Sequence, residues 1–328
     1  MTLDLSIIIV NYNSRNFIKK CLESIFLFFN ASKNGSYLSW EIVIVENGSS
    51  DESIEFIESK ILEIRDNIKL IKLSENVGFS KASNIGAKNC SSQFLLFLNP
   101  DTEIIQEGME DVLKFYNEKK EIEKVGVVGA KILNPDGSLQ YSCRTFPTLA
   151  RQFYESYFLH RLFKKSKFFG SYFMTYWNHN ENKKVDWLTG AFMLIYRDTF
   201  FEVGCFDEDY FIYSEDTDIC LKLARNGFIN YYYSDYGLIH SDAGIASVNP
   251  ELREVQIWKS RKLYFNKNYS SVHAFVLDIL YFLGVLNRII VFGALSLLNP
   301  KNSGFKTRFR VYVNSLKLRN QIKNQTYY

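Results

Sequence analysis

Three acids in four residues, Glu215-Asp216-Thr217-Asp218, precede an apolar stripe at Ile219, Leu221 and Leu223. Carboxylates this close repel one another, so the cluster needs a cause. One is favourable charge at the positive end of a helix. The other is chemistry, a carboxylate placed to take a proton from a hydroxyl. Glu215 and Asp218 are three apart and share a helix face, whereas Asp216 points elsewhere, so Asp216 and Asp218 do different jobs. Asp101 ends the tripeptide Asn99-Pro100-Asp101, behind the apolar run L-L-F-L. A carboxylate at a strand end can hold Mg2+ or Mn2+, which take hard oxygen ligands, and such an ion would neutralise a diphosphate. Taken alone, the same tripeptide is a turn. His240 stands before S-D-A-G-I-A-S and is one of four histidines. A lone histidine is usually structural, but a neutral imidazole can complete a site begun by Asp101. Asn76-Val77-Gly78-Phe79, with Ala82, Asn84 and Gly86, joins loop glycine to amides. Glycine permits close backbone approach and amides read ligand edges.

Other chemistries lack their motifs. G-x-x-x-x-G-K-[ST] is absent, no G-x-G-x-x-G follows the first apolar run, and no G-x-S-x-G occurs. This disfavours kinase, ATPase, dehydrogenase and nucleophile-elbow hydrolase readings. The five cysteines, Cys21, Cys90, Cys143, Cys205 and Cys220, are scattered with no C-x-x-C pair. That argues against a disulfide framework or a structural zinc, and fits a reducing cytosol. Leu5–Val10 starts too early, is too short and lacks the basic flank of a signal peptide.

The elements that must position these residues follow from hydrophobic pattern. Residues 5–10, L-S-I-I-I-V, read as a strand buried on both faces. Phe17–Phe28 reads as a helix, Glu41–Val45 as a strand, Ser53 to about Ile64 as a helix and Ile68–Leu73 as a strand. Asn76 to Asn89 is a loop entering a helix, and Gln93–Leu98 a fourth strand. Strand and helix alternating at this spacing mean βαβ units and a parallel sheet. Ligands of such sheets sit at the carboxyl ends of strands. Asn11–Asn13, Glu46–Asp51 and Asn99–Asp101 all fall there. Val125–Leu133 then reads as a strand before a turn at Asn134-Pro135-Asp136-Gly137. Trp187–Tyr196 is strand-like, Tyr213–Asn226 a helix stopped by Gly227, and Tyr231–His240 a strand. Residues 144–184 are aromatic and basic and show no clear element.

The chain has 328 residues, 47% hydrophobic and 23% charged, which excludes a disordered chain, a collagen or a coiled-coil rod. Its net charge of +3 conceals an asymmetry. Residues 251–328 hold thirteen Lys or Arg against Glu251, Glu254 and Asp278, a net of +10 that leaves −7 on residues 1–250. A basic end suggests a polyanionic surface, of lipid or nucleic acid. Within it, Val272–Leu298 is long enough to span a membrane but is interrupted by Asp278 and Asn287-Arg288. One or two helices lying on a membrane or packed on the body are therefore preferred to a span. The tail Lys301, Lys306, Arg308, Arg310, Lys317, Arg319 and Lys323 contains no acid. An apolar helix with a basic tail is a two-signal pattern for peripheral attachment to anionic lipid.

Taken in order, S-I-I-I-V-N-Y-N-S, V-E-N-G-S-S-D, N-V-G-F-S-K-A-S-N-I-G, L-N-P-D-T, G-S-L-Q-Y-S-C-R-T-F-P, V-D-W-L-T-G-A-F-M-L, G-C-F-D-E-D-Y-F-I-Y-S-E-D-T-D-I-C and I-H-S-D-A-G-I-A-S form a specific set. The chain resembles family 2 glycosyltransferases of the GT-A fold, most closely the rhamnosyltransferase-like branch, over about residues 4–248. The resemblance implies an α/β fold, a Rossmann-like mixed sheet flanked by helices. Residues 1–250 would form the catalytic domain and residues 251–328 a helical, basic, membrane-associating extension.

The implied activity is inverting transfer of a sugar, L-rhamnose from dTDP-rhamnose in the favoured case, to a hydroxyl of a glycan or polyprenyl-diphosphate-linked acceptor. Bacterial O-antigen, capsule or cell-wall synthesis is the implied setting. A UDP-hexose or UDP-N-acetylhexosamine donor is the alternative, and an inactive nucleotide-sugar-binding scaffold is the alternative of another class. By the match, Asp216 is the catalytic base. Val10, Asn11, Tyr12, Asn13, Glu46, Asn76, Gly78, Lys81, Asn84 and Asn99 face the donor. Glu46 stands where the family has Asp, and Asn99 where the metal motif has its first acid. Asp186, Trp187, Gly190, Ala191, Glu215 and Asp218 lie on the acceptor side, and Asp101 and His240 hold Mg2+ or Mn2+. The implied location is the cytoplasmic face of the plasma membrane, reached through residues 270–328, with no nucleic acid as partner.

Overall fold

The computed structural model describes residues 3–29, 38–60, 66–242 and 249–322. Along the chain, β1 (Leu5–Asn11), α1 (Arg15–Phe29), β2 (Trp40–Asn47), α2 (Ser53–Lys60), β3 (Ile68–Leu73), α3 (Phe79–Lys88) and β4 (Phe94–Leu98) alternate as the pattern predicts. The expected C-terminal end of α2, at Ile64, lies outside the described residues. β5 (Thr102–Ile104), α4 (Met109–Lys120), β6 (Val125–Leu133) and β7 (Cys143–Arg144) come next. They are followed by α5 (Leu149–Ser156), α6 (Leu159–Leu162), β8 (Lys183–Val185), β9 (Trp187–Leu188), β10 (Phe192–Tyr196), α7 (Arg197–Glu202), α8 (Glu215–Arg225) and β11 (Ile229–His240). Three long helices follow: α9 (Pro250–Asn268), α10 (Ser271–Leu298) and α11 (Ser303–Ile322).

The chain divides into two compact units. One holds residues up to Arg144, Asn178–Phe211 and Glu215–Asp242; the other holds Thr145–Trp177, Ile212–Ser214 and the chain from residue 243 on. A single cut at residue 250 therefore does not describe the division. The aromatic segment 145–177 groups with the C-terminal helices because its side chains pack and bond there.

In the first unit the main sheet runs β3-β2-β1-β4-β10-β6-β11-β5, with β8 beside β11, and β7 and β9 form a separate pair. β1 to β4 are parallel, whereas β10 runs antiparallel between β4 and β6, so the sheet is mixed. β1 is buried along its whole length, as an apolar strand covered on both faces must be. Ile7 and Ile9 join Ile18, Leu22 and Ile25 of α1 in the core. Ile8 looks to the other face, where α3 lies so close that a Cβ on Gly86 would meet its methyl at 2.6 Å.

Three boundaries differ from the sequence pattern. Trp187–Tyr196 is not one strand: β9 pairs with β7 and β10 with β4, and the chain turns between them at Thr189-Gly190-Ala191. α8 begins at Glu215 because Tyr213 and Ser214 both have φ near the left-handed region, at 67° and 69°. β11 begins at Ile229 and shifts register between Tyr233 and Gly237.

The second unit is helical. Asn249 caps α9 by accepting from Leu252 N, with Pro250 in the first turn, and Ser270 caps α10 by accepting from His273 N. Val272–Leu298 thus lies in one helix. Its 28 residues make it long and apolar enough to cross a membrane by length and composition. Ala274, Leu277, Gly284, Val285 and Phe292 form its buried stripe. Asp278 accepts from Trp258 Nε1 at 2.7 Å and Arg319 Nη2 at 2.7 Å, and pairs with Lys262 Nζ at 3.3 Å. One acid therefore ties α9, α10 and α11 together. Asn287 donates to Ser156 O at 3.2 Å, and Arg261 bonds Gln152 at 2.6 Å and Glu155 at 3.0 Å, joining α5 to the same bundle.

Candidate active site

Every site residue read from the sequence lies in the first unit, and strand register explains most of their meetings. Asn11 and Glu46 are opposite each other in the β1–β2 ladder. Both are fully buried, and Asn11 Nδ2 donates to Glu46 Oε2 at 2.5 Å. Glu46 Oε1 accepts from Ser49 N at 2.9 Å. The glutamate thus binds the neighbouring strand and loop, a set of partners the sequence did not suggest. Asn13, at φ 50°, accepts from Ser50 N at 2.8 Å, and Ser49 Oγ accepts from Asn13 N at 2.9 Å. The loops after β1 and β2 therefore form one rigid edge, from which Tyr12 projects into solvent. Val10 is buried inside the strand.

The loop before α3 is fastened to this edge. Asn47 Nδ2 donates to Asn76 Oδ1 at 3.0 Å, and Asn47 Oδ1 accepts from Val77 N at 3.0 Å. Gly78 has φ 88°, and a Cβ there would lie 2.6 Å from Phe211 O, so only glycine fits. Lys81 is exposed. Asn84 is buried and clasps Phe206 in both directions, donating to its O at 2.9 Å and accepting from its N at 3.1 Å. Those bonds hold the loop after α7.

Pairing of β5 with β11 sets His240 opposite Thr102, one residue from Asp101. His240 Nε2 lies 3.2 Å from Asp101 Oδ1 and 3.4 Å from Asn99 Nδ2. Gln140 Oε1 accepts from His240 Nδ1 at 2.8 Å, which leaves the Nε2 lone pair turned toward the carboxylate. Two lone-pair donors facing at this distance suit a shared proton or a divalent cation. Among the described residues no third acid, histidine or cysteine joins them as a metal-ligating group. Gln140 was not singled out by sequence; its presence in G-S-L-Q was the only signal.

The acids of α8 are separated by environment. Asp216 is partly exposed, and its Oδ2 accepts from Gly190 N at 3.1 Å and its Oδ1 from Thr217 N at 2.6 Å. Desolvation pushes its carboxyl above the usual aspartate range, against the pull of those donors and of Arg144. Glu215 is buried, and its Oε2 has no hydrogen-bond partner. Burial, then the charges of Asp216 and Asp218, raise its carboxyl well above the ordinary value, so it favours the neutral form. Asp218 is also buried and accepts from Tyr210 OH at 3.2 Å, with Lys222 Nζ 3.3 Å away. The three acids thus have three different environments.

Asn99 N donates to Ala191 O at 3.2 Å, so the Asp101–His240 pair connects through the 189–191 turn to Asp216. A Cβ on Gly190 would sit 3.9 Å from both Asp216 Cβ and the Phe79 ring. Trp187 is buried with Arg144 stacked 5.0 Å from its ring, as their pairing in β7–β9 requires. Arg144 is a second residue the sequence reading did not select. Asp186 is held by its carbonyl, which accepts from Asn230 Nδ2 at 2.8 Å.

The chain matches the family model for Glycosyl transferase family 2 over residues 6–197. It is 24% identical over 240 residues to N-acetylglucosaminyl-diphospho-decaprenol L-rhamnosyltransferase of Mycobacterium tuberculosis, covering 70% of this chain and 75% of that one. It is 27% identical over 248 residues to rhamnosyltransferase WbbL of Escherichia coli, covering 71% and 82%. Among solved structures, mannosyltransferase PcManGT from Pyrobaculum calidifontis in complex with GDP-Man and Mn2+ shares the fold, with a TM-score of 0.55 at 14% identity over 99% of this chain and 89% of that one. The mixed sheet flanked by helices is that of GT-A proteins. With more than half its length inside the family model, the chain belongs to glycosyl transferase family 2.

Proposed function

We propose that this glycosyltransferase moves L-rhamnose, with inversion, from dTDP-rhamnose to a hydroxyl of a lipid-linked or polysaccharide acceptor in bacterial surface-glycan synthesis. The observation that carries the reading is Asp216. It is a partly exposed carboxylate held by two backbone N–H groups and joined through the 189–191 turn to the Asp101–His240 pair. In-line transfer with inversion needs one base and no covalent sugar–enzyme intermediate, unlike the paired carboxylates general among glycosidases. Asp216 takes the acceptor proton as its oxygen attacks the anomeric carbon and the nucleoside diphosphate leaves. The Gly190 and Thr217 N–H groups fix which carboxylate lone pairs remain for that proton.

Asp101 Oδ1 and His240 Nε2 fit Mg2+ or Mn2+, and the small number of protein ligands suits an ion that keeps waters and substrate phosphate oxygens. When bound, the cation supplies charge stabilisation to the leaving diphosphate. The edge formed by Asn11, Asn13, Glu46, Asn47 and Asn76 supports the reading of a nucleotide site, with Lys81 exposed beside it. The names of the two relatives support rhamnose as the sugar.

The exposed apolar residues of α10 and the exposed Lys301, Lys306, Arg308, Arg310 and Lys317 support peripheral attachment to an anionic membrane, on its cytoplasmic side. Arg319 is not part of that basic surface, because it is buried against Asp278. Lys323 lies outside the described residues.

The test is turnover of dTDP-rhamnose by the purified full chain with a polyprenyl-diphosphate-linked saccharide, with Mn2+ or with EDTA. The expected product carries the anomeric configuration opposite to the donor's. Turnover with UDP-hexoses alone would replace the donor, and a retained configuration would overturn the mechanism.

A further inference from the structure

The segment 161–169, R-L-F-K-K-S-K-F-F, has no part in the site above and is unusual for a surface. Leu162 is 71% exposed, Phe163 51% and Phe168 63%. Lys164, Lys165 and Lys167 between them are exposed too, and none has an acidic partner among the described residues. The nearest acid in sequence, Glu155, is held by Arg261 at 3.0 Å.

These tips stand on a fixed backbone. Thr175 Oγ1 donates to Lys164 O at 2.7 Å, Gly170 N to Ser166 O at 2.9 Å, and Phe168 N to Ser166 Oγ at 3.2 Å. The Phe163 ring lies 5.1 Å from Phe169, and Phe168 5.0 Å from Tyr154. A fixed loop that leaves two aromatic tips and a leucine in water exposes an apolar patch that single scattered residues do not.

We infer that the 161–169 loop is a second lipid-contacting element, whose Leu162, Phe163 and Phe168 enter the head-group region of an anionic bilayer while Lys164, Lys165 and Lys167 meet its phosphates. The inference rests on the peripheral membrane reading of α10 and adds a site to it. The chemistry fits lipid better than a folded partner. Apolar tips alternating with unpaired ammonium groups need no shaped counterpart, only a layer that is apolar beneath and negative above. Continuity with α10 supports the same occupant. Asn287 of that helix donates to Ser156 O at 3.2 Å, and Phe292 lies 6.1 Å from Phe158, so the loop is carried by helices packed on the middle of α10. Residues 145–177 hold five basic residues and one acid, so the whole second unit reaches +14.

The experiment uses the full chain with vesicles of phosphatidylcholine, with and without phosphatidylglycerol. Leu162→Cys, labelled with a polarity-sensitive dye, is expected to shift to the blue on anionic vesicles and to be quenched by spin-labelled lipid. Lys164→Gln/Lys165→Gln/Lys167→Gln is expected to weaken co-sedimentation about a hundredfold. Phe275→Ser/Ile279→Ser, on the exposed face of α10, reports the proposed α10 contact separately. Protein that sediments with vesicles while the dye stays unmoved would overturn the loop's role and leave α10 as the anchor. Protein that ignores every vesicle would overturn both. A dye shift that grows with protein concentration in the absence of lipid would assign the loop to a second copy of the chain.

Discussion

At the scale of single residues, the acids at the start of α8 are the most demanding feature of the chain. In the proposed mechanism Asp216 must be ionised to accept a proton, and burial raises its pKa. The acid limb of kcat/KM is therefore expected above the ordinary aspartate value of about 3.9, with rate lost as pH falls through the raised pKa. Asp216→Asn is expected to lower turnover by about 10²–10⁴-fold while nucleotide binding, read by thermal shift, is kept. Glu215 predicts a different pH effect. Its pKa is raised in the fold, so its contribution to stability is whole below the unfolded glutamate value of about 4.3 and is lost as pH rises through the folded one. Glu215→Gln should thus raise the melting temperature at neutral pH and leave it unchanged near pH 4; equal melting curves at both would refute this. For the pair at the other end of the turn, Asp101→Ala should remove the part of the nucleotide thermal shift that depends on Mn2+, leaving the EDTA value in place. The types of these residues were readable in sequence. The sequence already put Asp101 and His240 at one site, but that Gln140 orients the imidazole was not legible, because Gln140 and His240 lie a hundred residues apart in the chain.

At the scale of elements, the short turn between β9 and β10 matters most. Read as a pattern, W-L-T-G-A-F-M-L is one apolar strand. In the fold β9 leaves to pair with β7, and β10 joins β4. Local sequence could not show this, since both partners lie far away in the chain. The switch presents Gly190 N to Asp216. Gly190→Ala is expected to keep melting temperature and donor binding, since a Cβ has 3.9 Å of room. Gly190→Val should cut transfer while donor binding stays, because its branches enter the space between Asp216 and Phe79; normal kcat in the valine variant would exclude the role. By contrast β1, β2 and β4, apolar runs ended by polar residues, and the mixed I-K-L-I-K-L of β3 were legible to within two residues. The starts of α9 and α10 carried cap signals in Asn249-Pro250 and Ser270 that the apolar pattern overshadowed.

At the scale of the whole molecule, charge follows the division into units more closely than sequence order does. Moving segment 145–177 to the helical unit leaves −11 on the sheet unit, given a total of +3. Binding of the full chain to anionic vesicles should accordingly fall steeply between low and physiological salt, as co-sedimentation across an NaCl series would show. A salt-independent isotherm would mean that apolar contact alone holds the protein. The asymmetry was visible in composition, but its true boundary depended on which side chains pack on the C-terminal helices. Asp278 also bears on how the chain is made. Helix α10 is synthesised before Arg319, which follows Asp278 by 41 residues, about 2–8 s of elongation. During that interval Asp278 has Trp258 and Lys262 as partners but not the guanidinium that α11 brings to it. A carboxylate at the centre of a span opposes insertion by about 2.5–3.5 kcal/mol, and Asp278, in the N-terminal third of α10, opposes it in the same sense. The acid that ties three helices together would thus weigh against insertion of the nascent segment before it gathers α11 to the other two helices.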